Sequence, residues 1–421
     1  MKKFYAIYFI CFIFSSANLF AVPAYPLPID VNQPGGTKLT ITLKGDEHVS
    51  WAESSDGYTL LRNSDNFWEY AQRNAQGDLV LSGRIAKNIQ QRDVADNVFL
   101  SQIQKKMGYS SSQAEAFNQI KQARQQAMDK EIQRASFQSG TTPQRAPHIS
   151  GVVRAPLILV DFPGKPFTRT AAEFEMLCNQ LNYTATSDGA ITGSVNDYFK
   201  ASSYSQLDFQ VDVWGPYTMN NDLRYYDNES GGNSQEMARE AAIAAHNAGC
   251  NFADYDIDSD GYVDGLHIIY AGYDQSAGEP AGQGMWAHAW AIQNTTLTLD
   301  GKRIFRFSCS SELRNNSSYP ADLRNKITYI GVICHELSHV FGLPDLYDTD
   351  YSGSGGTSIH IAEWCLMASG SWNNEGMTPA LHSAWCRNEL GWVTITTLED
   401  PADVTIPNPA IQCDVYKINH Y

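Results

Sequence analysis

The stretch HELSHVFGLPD, residues 335–345, restricts the fold more than any other part of the sequence. His335 and His339 lie four residues apart, so on a helix they share one face and can present both imidazoles to one point. Gly342 can end that helix, because glycine adopts the left-handed conformation without a side-chain penalty. A turn after the glycine would return Asp345 to the same point. The motif therefore predicts a helix, a glycine end and a reversal of the chain.

The side chains of this motif form a ligand set for zinc. Two neutral imidazoles and one carboxylate suit Zn²⁺ and leave a fourth position for water. Glu336 can take a proton from that water and pass it to a departing amine, while the metal lowers the pKa of the water to about 7. Asp348 is the alternative third ligand if Asp345 faces away. The alternative is a surface helix that carries two histidines on one face by chance. The preceding apolar run ITYIGVI is compatible with a helix and favours the metal motif.

A second metal motif is DIDSDGYVD, residues 256–264, which has the D-x-D-x-D-G order of a calcium loop. The predicted calcium ligands are Asp256, Asp258, Asp260 and Asp264. Gly261 permits the sharp turn that lets alternate carboxylates converge on one ion. The twelfth position is His267, where an EF-hand has glutamate, so the loop is not a complete EF-hand. The alternative is a solvated acidic turn.

The N-terminus has the pattern of an export signal. Lys2 and Lys3 precede the apolar run FYAIYFICFIF and a small-residue exit, which predicts a signal peptide over residues 1–21 with cleavage near Ala21. No later segment has the 18 or more apolar residues of a membrane span, so we expect a secreted protein that is soluble after cleavage. The formal net charge of −16 argues against nucleic acid or an anionic membrane as a partner.

The 421 residues are enough for two or three domains. Short apolar runs between turn pairs predict a small β-rich unit over residues 22–96. Residues 97–147 are predicted to form an exposed helix followed by a linker. The linker contains Arg145, and proteolytic processing would be easiest there. The run APLILVDF is typical of a buried strand and opens a larger domain over residues 148–395. Residues 396–421 resemble the start of a β segment that is cut off.

Several longer blocks resemble a known family, in the family's order, over about residues 185–393. The blocks are GSVNDYFKASSYSQLDF, YDIDSDGYVDGLHIIYAG, MWAHAW, HELSHVFGLPDLYD, CLMASGSW and HSAWCRNELGW. They are similar to those of the immune inhibitor A-like family of secreted bacterial zinc metalloendopeptidases, which are relatives of the metzincins. The N-terminal GDEHVSWAESSDGYTLL is similar to the start of that family's propeptide. Tyr204 and Ser205 depart from the family pattern and leave the local loop geometry open.

The resemblance implies an α+β fold: a zincin/metzincin-like catalytic domain with a twisted mixed sheet and an active-site helix, preceded by a β-rich propeptide and a helical linker. It implies that His335, His339 and Asp345 bind one zinc ion and that Glu336 is the catalytic acid/base. Met367 in CLMASGSW would lie in the turn beneath the metal as an apolar floor. Calcium would have a structural role.

The function implied is a secreted endopeptidase made as a zymogen, which takes protein or peptide substrates extended along an edge strand and is inhibited by its own propeptide. No cysteine lies between Ala21 and Cys178, so a propeptide thiolate cannot cap the zinc, and Asp46, Glu47 or His48 are the candidate caps. The rival interpretation is a non-catalytic secreted binding protein on a metalloprotease scaffold. The intact Glu336 weighs against it.

Other side chains near these motifs have open roles. Tyr347 or Tyr351 could hydrogen-bond the oxyanion, and His288 could contact substrate or simply pack between tryptophans. Seven cysteines remain after signal cleavage, with no CxxC pair, and spacing alone does not assign disulfide partners.

Overall fold

The structure is a computed structural model of the full chain. It describes residues 20–139, 149–227, 233–293, 296–320, 324–349 and 361–398, together with 405, 408 and 414–418. The predicted signal peptide before Phe20, the processing region 140–147 with Arg145, Tyr351 and most of the segment 396–421 lie outside the described residues.

The N-terminal part of the described chain is a meander of short strands followed by two helices. Its elements are β1 (Phe20–Ala21), β2 (Ile29–Asn32), β3 (Lys38–Gly45), β4 (Ser50–Ser54), β5 (Thr59–Arg62), β6 (Trp68–Arg73), β7 (Leu79–Ile85), α1 (Val94–Leu100) and α2 (Ser111–Ser139). Strands β2 to β7 form one antiparallel sheet in sequence order. In β3 buried apolar residues alternate with polar residues on the outer face, which is the period-two pattern of a half-buried strand.

The remaining described residues form the larger part of the molecule. Their strands and helices are β8 (Gly151–Asp161), α3 (Ala171–Asn179), β9 (Ala185–Thr186), β10 (Gly189–Ala190), α4 (Val195–Ser202), β11 (Leu207–Thr218), α5 (Leu223–Tyr226), α6 (Ser234–Asn247), β12 (His267–Tyr270), β13 (His288–Ala291), β14 (Leu297–Leu299), β15 (Lys302–Ile304), β16 (Arg306–Ser311), α7 (Ile330–Val340), α8 (Ala384–Glu389), β17 (Ile395–Leu398) and β18 (Val415–Ile418). Short 3₁₀ helices lie at Ile89–Gln91, Phe252–Tyr255, Gln275–Ala277, Ala362–Trp364 and Ser369–Trp372.

A twisted mixed sheet in the order β1-β13-β16-β12-β8-β11 forms the centre of this part. Strands β16, β12, β8 and β11 run parallel, whereas β13 and β1 are antiparallel additions at one edge. In β8, Leu157 and Leu159 enter one core cluster and Ile158 and Val160 the other. Both faces are therefore covered, which explains the continuous apolar run APLILVDF. A mixed α/β architecture with a mixed sheet is confirmed.

Helix α7 lies in the first of these cores, and Ile330 to His339 are all buried. Gly331 lets the helix approach the chain segment of the CLMASGSW block. A Cβ atom at that position would lie 2.0 Å from the carbonyl oxygen of Ser371, so only glycine fits without a backbone shift.

The N-terminal meander packs against the larger part through the same core. A Cβ atom at Gly278 would lie 2.5 Å from Ile29 Cδ1 and 3.6 Å from Leu43 Cδ1, so the meander comes close to the main chain there. The Arg62 guanidinium donates to the Glu279 carbonyl at 3.3 Å. The meander is thereby fixed beside the mixed sheet. Among the described helices, none combines the length and the apolar character needed to cross a membrane.

Candidate functional site

Helix α7 ends as its sequence predicts. Gly342 has φ 98°, and its N–H donates to the His339 carbonyl at 2.9 Å, while Leu343 N–H donates to the Ser338 carbonyl at 3.0 Å. The left-handed glycine reverses the chain immediately after the helix. The reversal brings Asp345 back over the last turn of α7.

The three predicted zinc ligands meet at one point. The Nε2 atoms of His335 and His339 lie 2.9 Å apart, and Asp345 Oδ1 lies 3.2 and 3.4 Å from them. Tetrahedral zinc with ligands at about 2.0–2.1 Å requires ligand atoms roughly 3.3 Å apart. The spacing therefore fits one zinc ion, and these residues form one of two such clusters in the described chain.

The hydrogen bonds behind the histidines determine which nitrogens face this point. His335 Nδ1 lies 2.8 Å from the Leu366 carbonyl and His339 Nδ1 lies 2.8 Å from the Leu343 carbonyl. A carbonyl can only accept, so each Nδ1 carries the proton and each neutral ring turns an Nε2 lone pair towards Asp345. Burial lowers the pKa of His339, which favours that neutral form. Two lone pairs facing one carboxylate are what a cation site requires.

Glu336 lies beside the cluster and is fully buried. Its Oε1 accepts a hydrogen bond from the Val22 N–H at 2.7 Å, and its Oε2 is buried without a hydrogen-bond partner. Burial raises the pKa of Glu336 well above its usual 4.5, and the charges of Asp345 and Glu47 raise it further. A buried carboxyl poised in this way can both accept and donate a proton.

The contact between Val22 and Glu336 belongs to a segment that sequence reasoning missed. Residues 20–21, predicted to lie within the signal peptide, form β1 and pair antiparallel with His288 and Ala289 of the edge strand. Residues 22–25 then cross in front of α7. No local sequence pattern predicts this contact, because Val22 and Glu336 are 314 positions apart in the sequence.

Tryptophan side chains hold the backbone of this segment. The indole N–H of Trp286 donates to the Val22 carbonyl at 2.8 Å, and that of Trp372 donates to the Pro23 carbonyl at 2.7 Å. Tyr25 packs edge-on against Trp372 with ring centroids 5.2 Å apart. Residues 22–25 are thus held against the candidate site by main-chain and aromatic contacts.

The predicted caps Asp46, Glu47 and His48 are engaged with their own neighbours. Asp46 Oδ1 accepts from the His48 and Val49 N–H groups, and Lys121 Nζ lies 3.1 Å from Asp46 Oδ2. The Glu47 carboxylate lies 2.7 Å from His48 Nε2. Among the described residues of this N-terminal part, the Val22 N–H hydrogen-bonds Glu336 at 2.7 Å, and the charge of Glu47 raises the pKa of Glu336.

Met367 lies in the turn that follows the 3₁₀ helix Ala362–Trp364. The residue is fully buried, its carbonyl accepts from the Leu346 N–H at 2.7 Å, and the carbonyl of its neighbour Leu366 orients His335. The turn therefore fixes both the imidazole and the chain that leads to Asp345.

His382 braces α7 at Ser338, within the HExxH motif, and had no predicted role. Its Nδ1 lies 2.7 Å from Ser202 Oγ and its Nε2 lies 2.9 Å from Ser338 Oγ. Burial lowers its pKa to about 3, so it is a neutral link between α4 and α7. The HSAWCRNELGW block, which resembles a block of the family and contains His382, is the sequence feature that could have identified this residue.

The acidic loop, residues 256–264, brings three of its four predicted calcium ligands together. Ligand atoms of Asp256, Asp258 and Asp260 lie within 4.8 Å of one another. Asp264 is outside this group and accepts from the Ile257 N–H at 2.9 Å. Lys302 Nζ lies 2.5 Å from Asp256 Oδ2, so one of the carboxylates already has a cationic neighbour.

The remaining candidates differ in position. His288 lies in β13, where its Nδ1 is 2.8 Å from the Trp286 carbonyl and its Nε2 is 2.9 Å from Ser234 Oγ, so its ring is held by the protein. Tyr347 is buried close after the metal motif in the sequence.

Comparison with known proteins agrees with the geometry of this site. The model of the family described as immune inhibitor A peptidase M6, catalytic domain, matches residues 167–393, which is more than half of the chain. The chain belongs to the immune inhibitor A peptidase family. The matched range includes the zinc motif, the acidic loop and Met367.

Relatives of this family member include two bacterial proteins. The pre-pro-metalloprotease PrtV of Vibrio cholerae is 28% identical over 281 residues, which cover 55% of this chain and 29% of the relative. Immune inhibitor A of Bacillus thuringiensis is 28% identical over 175 residues, which cover 38% of this chain and 25% of the relative. The chain spans less than a third of the length of these relatives.

Asp345 and Asp348 can be distinguished as third ligand by mutation. We expect Asp345→Asn to weaken zinc binding by more than the roughly 10- to 100-fold typical of outer-shell changes, because an amide replaces the anionic oxygen that faces both Nε2 atoms. Asp348→Asn is the matched control and should retain zinc. Zinc affinity measured by competition with a chromogenic chelator checks this. The opposite ranking would assign Asp348 as the ligand.

Proposed function

We propose that the chain is a secreted zinc endopeptidase made as a zymogen, with a zincin-like catalytic domain over residues 148–395. The observation that carries the proposal is the convergence of His335 Nε2, His339 Nε2 and Asp345 Oδ1 with Glu336 beside them. The family and the metalloprotease relatives support the same activity.

In the proposed mechanism, zinc bound by His335, His339 and Asp345 would supply an activated water and polarise the scissile carbonyl. Glu336 takes the proton of the attacking water on its carboxylate and delivers it to the nitrogen of the departing amine. The Leu366 and Leu343 carbonyls keep the imidazoles in one tautomer throughout.

We infer that substrate binds along β13. A free edge strand offers unpaired N–H and carbonyl groups to an extended peptide. Phe20 and Ala21 already use His288 and Ala289 in this manner. A protein or peptide substrate would take the same place after this segment has left.

Inhibition by the propeptide follows from the same contacts. Residues 22–25 lie against Glu336, Trp286 and Trp372, so a substrate cannot reach the general base while they remain. We propose that residues 22–147 are the propeptide and that cleavage near residue 147 releases it.

Calcium at the acidic loop is a separate part of the proposal. Asp256, Asp258 and Asp260 lie close enough to share one ion, and Asp256 Oδ1 is buried without a hydrogen-bond donor. The loop leads into β12 of the mixed sheet, so calcium would stiffen the start of that strand. Lys302 offsets part of the negative charge and would compete with the ion.

The general-base role of Glu336 predicts a separation of binding from chemistry. Glu336→Ala in the activated protein should keep zinc and lose about 10²- to 10⁴-fold in kcat/KM for a denatured protein substrate, because the proton acceptor is gone. Zinc content and cleavage are measured on the same sample. Undiminished cleavage by a zinc-loaded variant would refute the mechanism. A wild-type protein that holds zinc but cleaves nothing after propeptide removal would favour the binding-protein alternative.

The inhibitory segment predicts a gain of activity. Tyr25→Ala in the unprocessed chain should raise residual cleavage by roughly tenfold or more, since the segment loses the buried ring that packs on Trp372. Leu27→Ala is the control, because Leu27 is 57% exposed two residues further on. Equal activity of the two variants would mean that residues 22–25 do not maintain latency.

Calcium binding predicts a thermal shift that depends on the acidic loop. Millimolar calcium should raise Tm of the wild type, because an ion that binds only the folded state stabilises it. Asp258→Asn should abolish most of the shift, whereas Asp65→Asn in the N-terminal meander should leave it intact. Shifts of the same size in all three proteins would exclude this loop as the site.

A further inference from the structure

We propose that Cys365 and Cys386 form a disulfide that clamps the turn beneath the metal ligands. Their sulfur atoms lie 3.8 Å apart, both residues are fully buried, and 21 positions separate them in the sequence. Sequence spacing did not single out this pair among the cysteines. The contact is made by the fold, which brings the start of CLMASGSW against helix α8.

The position of the pair connects it with the zinc site. Cys365 directly precedes Leu366, whose carbonyl accepts the hydrogen bond of His335 Nδ1. Cys386 lies in α8, and the residue that caps this helix, Ser383, donates its N–H to Cys365 Sγ at 3.4 Å. A covalent link between the two segments would therefore limit movement of the carbonyl that orients a metal-binding imidazole.

The segment around Cys386 also contacts helix α7, at a second position. His382, just before α8, is held by Ser338 Oγ of the metal-binding helix. The turn with Leu366 touches α7 at His335, and the segment with His382 touches it at Ser338. A bond between Cys365 and Cys386 would join both supports of the helix into one closed loop.

The two thiols differ in acidity, and because both are fully buried, exchange with an external disulfide takes place before the fold closes over them or during local opening. The hydrogen bond with Cys386 lowers the pKa of Cys365 to about 6, although burial opposes the shift, whereas burial raises the pKa of Cys386 well above its usual value. Cys365 would therefore be the first thiolate to react. Burial raises the pKa values of Cys178, Cys250, Cys309 and Cys334, which makes these thiols poor nucleophiles.

The oxidation needs a disulfide co-reactant, either oxidised glutathione or a thiol oxidoreductase of the export compartment. The Cys365 thiolate attacks one sulfur of that disulfide and releases the other as a thiolate. Cys386, as its proton leaves, attacks Cys365 Sγ and releases the second thiolate. Two electrons pass to the carrier, and the two cysteine protons end on the two thiols that it becomes. The physiological oxidant rests on the proposed export, but the reactivity of the pair does not.

Mapping cysteine linkage in the full chain tests the proposal. The purified protein is equilibrated for a day in glutathione buffers of graded redox ratio, quenched with acid, alkylated and digested. We expect a peptide linked through Cys365 and Cys386 to appear as the buffer becomes more oxidising. Both cysteines recovered in alkylated form in oxidised buffer, or linked to other cysteines, would overturn the proposal whether or not the chain is exported or active.

A zinc-release measurement tests the coupling to the metal site without using activity. In oxidising buffer, Cys365→Ala/Cys386→Ala should release zinc to a chelator at least severalfold faster than the wild type. Cys250→Ala is the control, since that buried thiol lies in the other core cluster. The reduced wild type should release zinc at the rate of the double variant. Equal release rates in oxidised and reduced wild type would show that the link does not support the site.

Discussion

The whole site depends on two hydrogen bonds from histidine to the main chain. By donating Nδ1–H to the Leu366 and Leu343 carbonyls, His335 and His339 leave both Nε2 lone pairs directed at Asp345. Neither carbonyl lies in helix α7. The geometry of the candidate metal site is therefore a product of tertiary structure, because the turn that contains Leu366 and the reversal after Gly342 set the orientation of both imidazoles.

The surrounding fold keeps those two carbonyls in place. Gly331 allows the helix to lie against the Ser371 carbonyl, and His382 links the helix to α4 through the hydroxyls of Ser338 and Ser202. The mixed sheet packs one of its faces in the same core as the helix and presents β13 at its edge. A rigid ligand set thus adjoins an edge that can hold an extended chain.

Local sequence patterns predicted the helix, its glycine end, the convergence of His335, His339 and Asp345, and the buried strand at residues 151–161. These features depend on helical period, glycine chemistry and apolar runs, which act over a few residues. The occupation of the site by residues 22–25, the brace at His382 and the sulfur contact of Cys365 could not be predicted. Each joins positions far apart in the chain, and no local pattern specifies which distant segment fills a cleft.

The most direct test of the account is X-ray absorption at the zinc edge of the full chain loaded with one equivalent of zinc. The account predicts a first shell of nitrogen and oxygen at about 2.0–2.1 Å with the multiple scattering of two imidazoles, reduced to one in His339→Gln. A sulfur shell at about 2.3 Å, or a spectrum unchanged by that substitution, would contradict it.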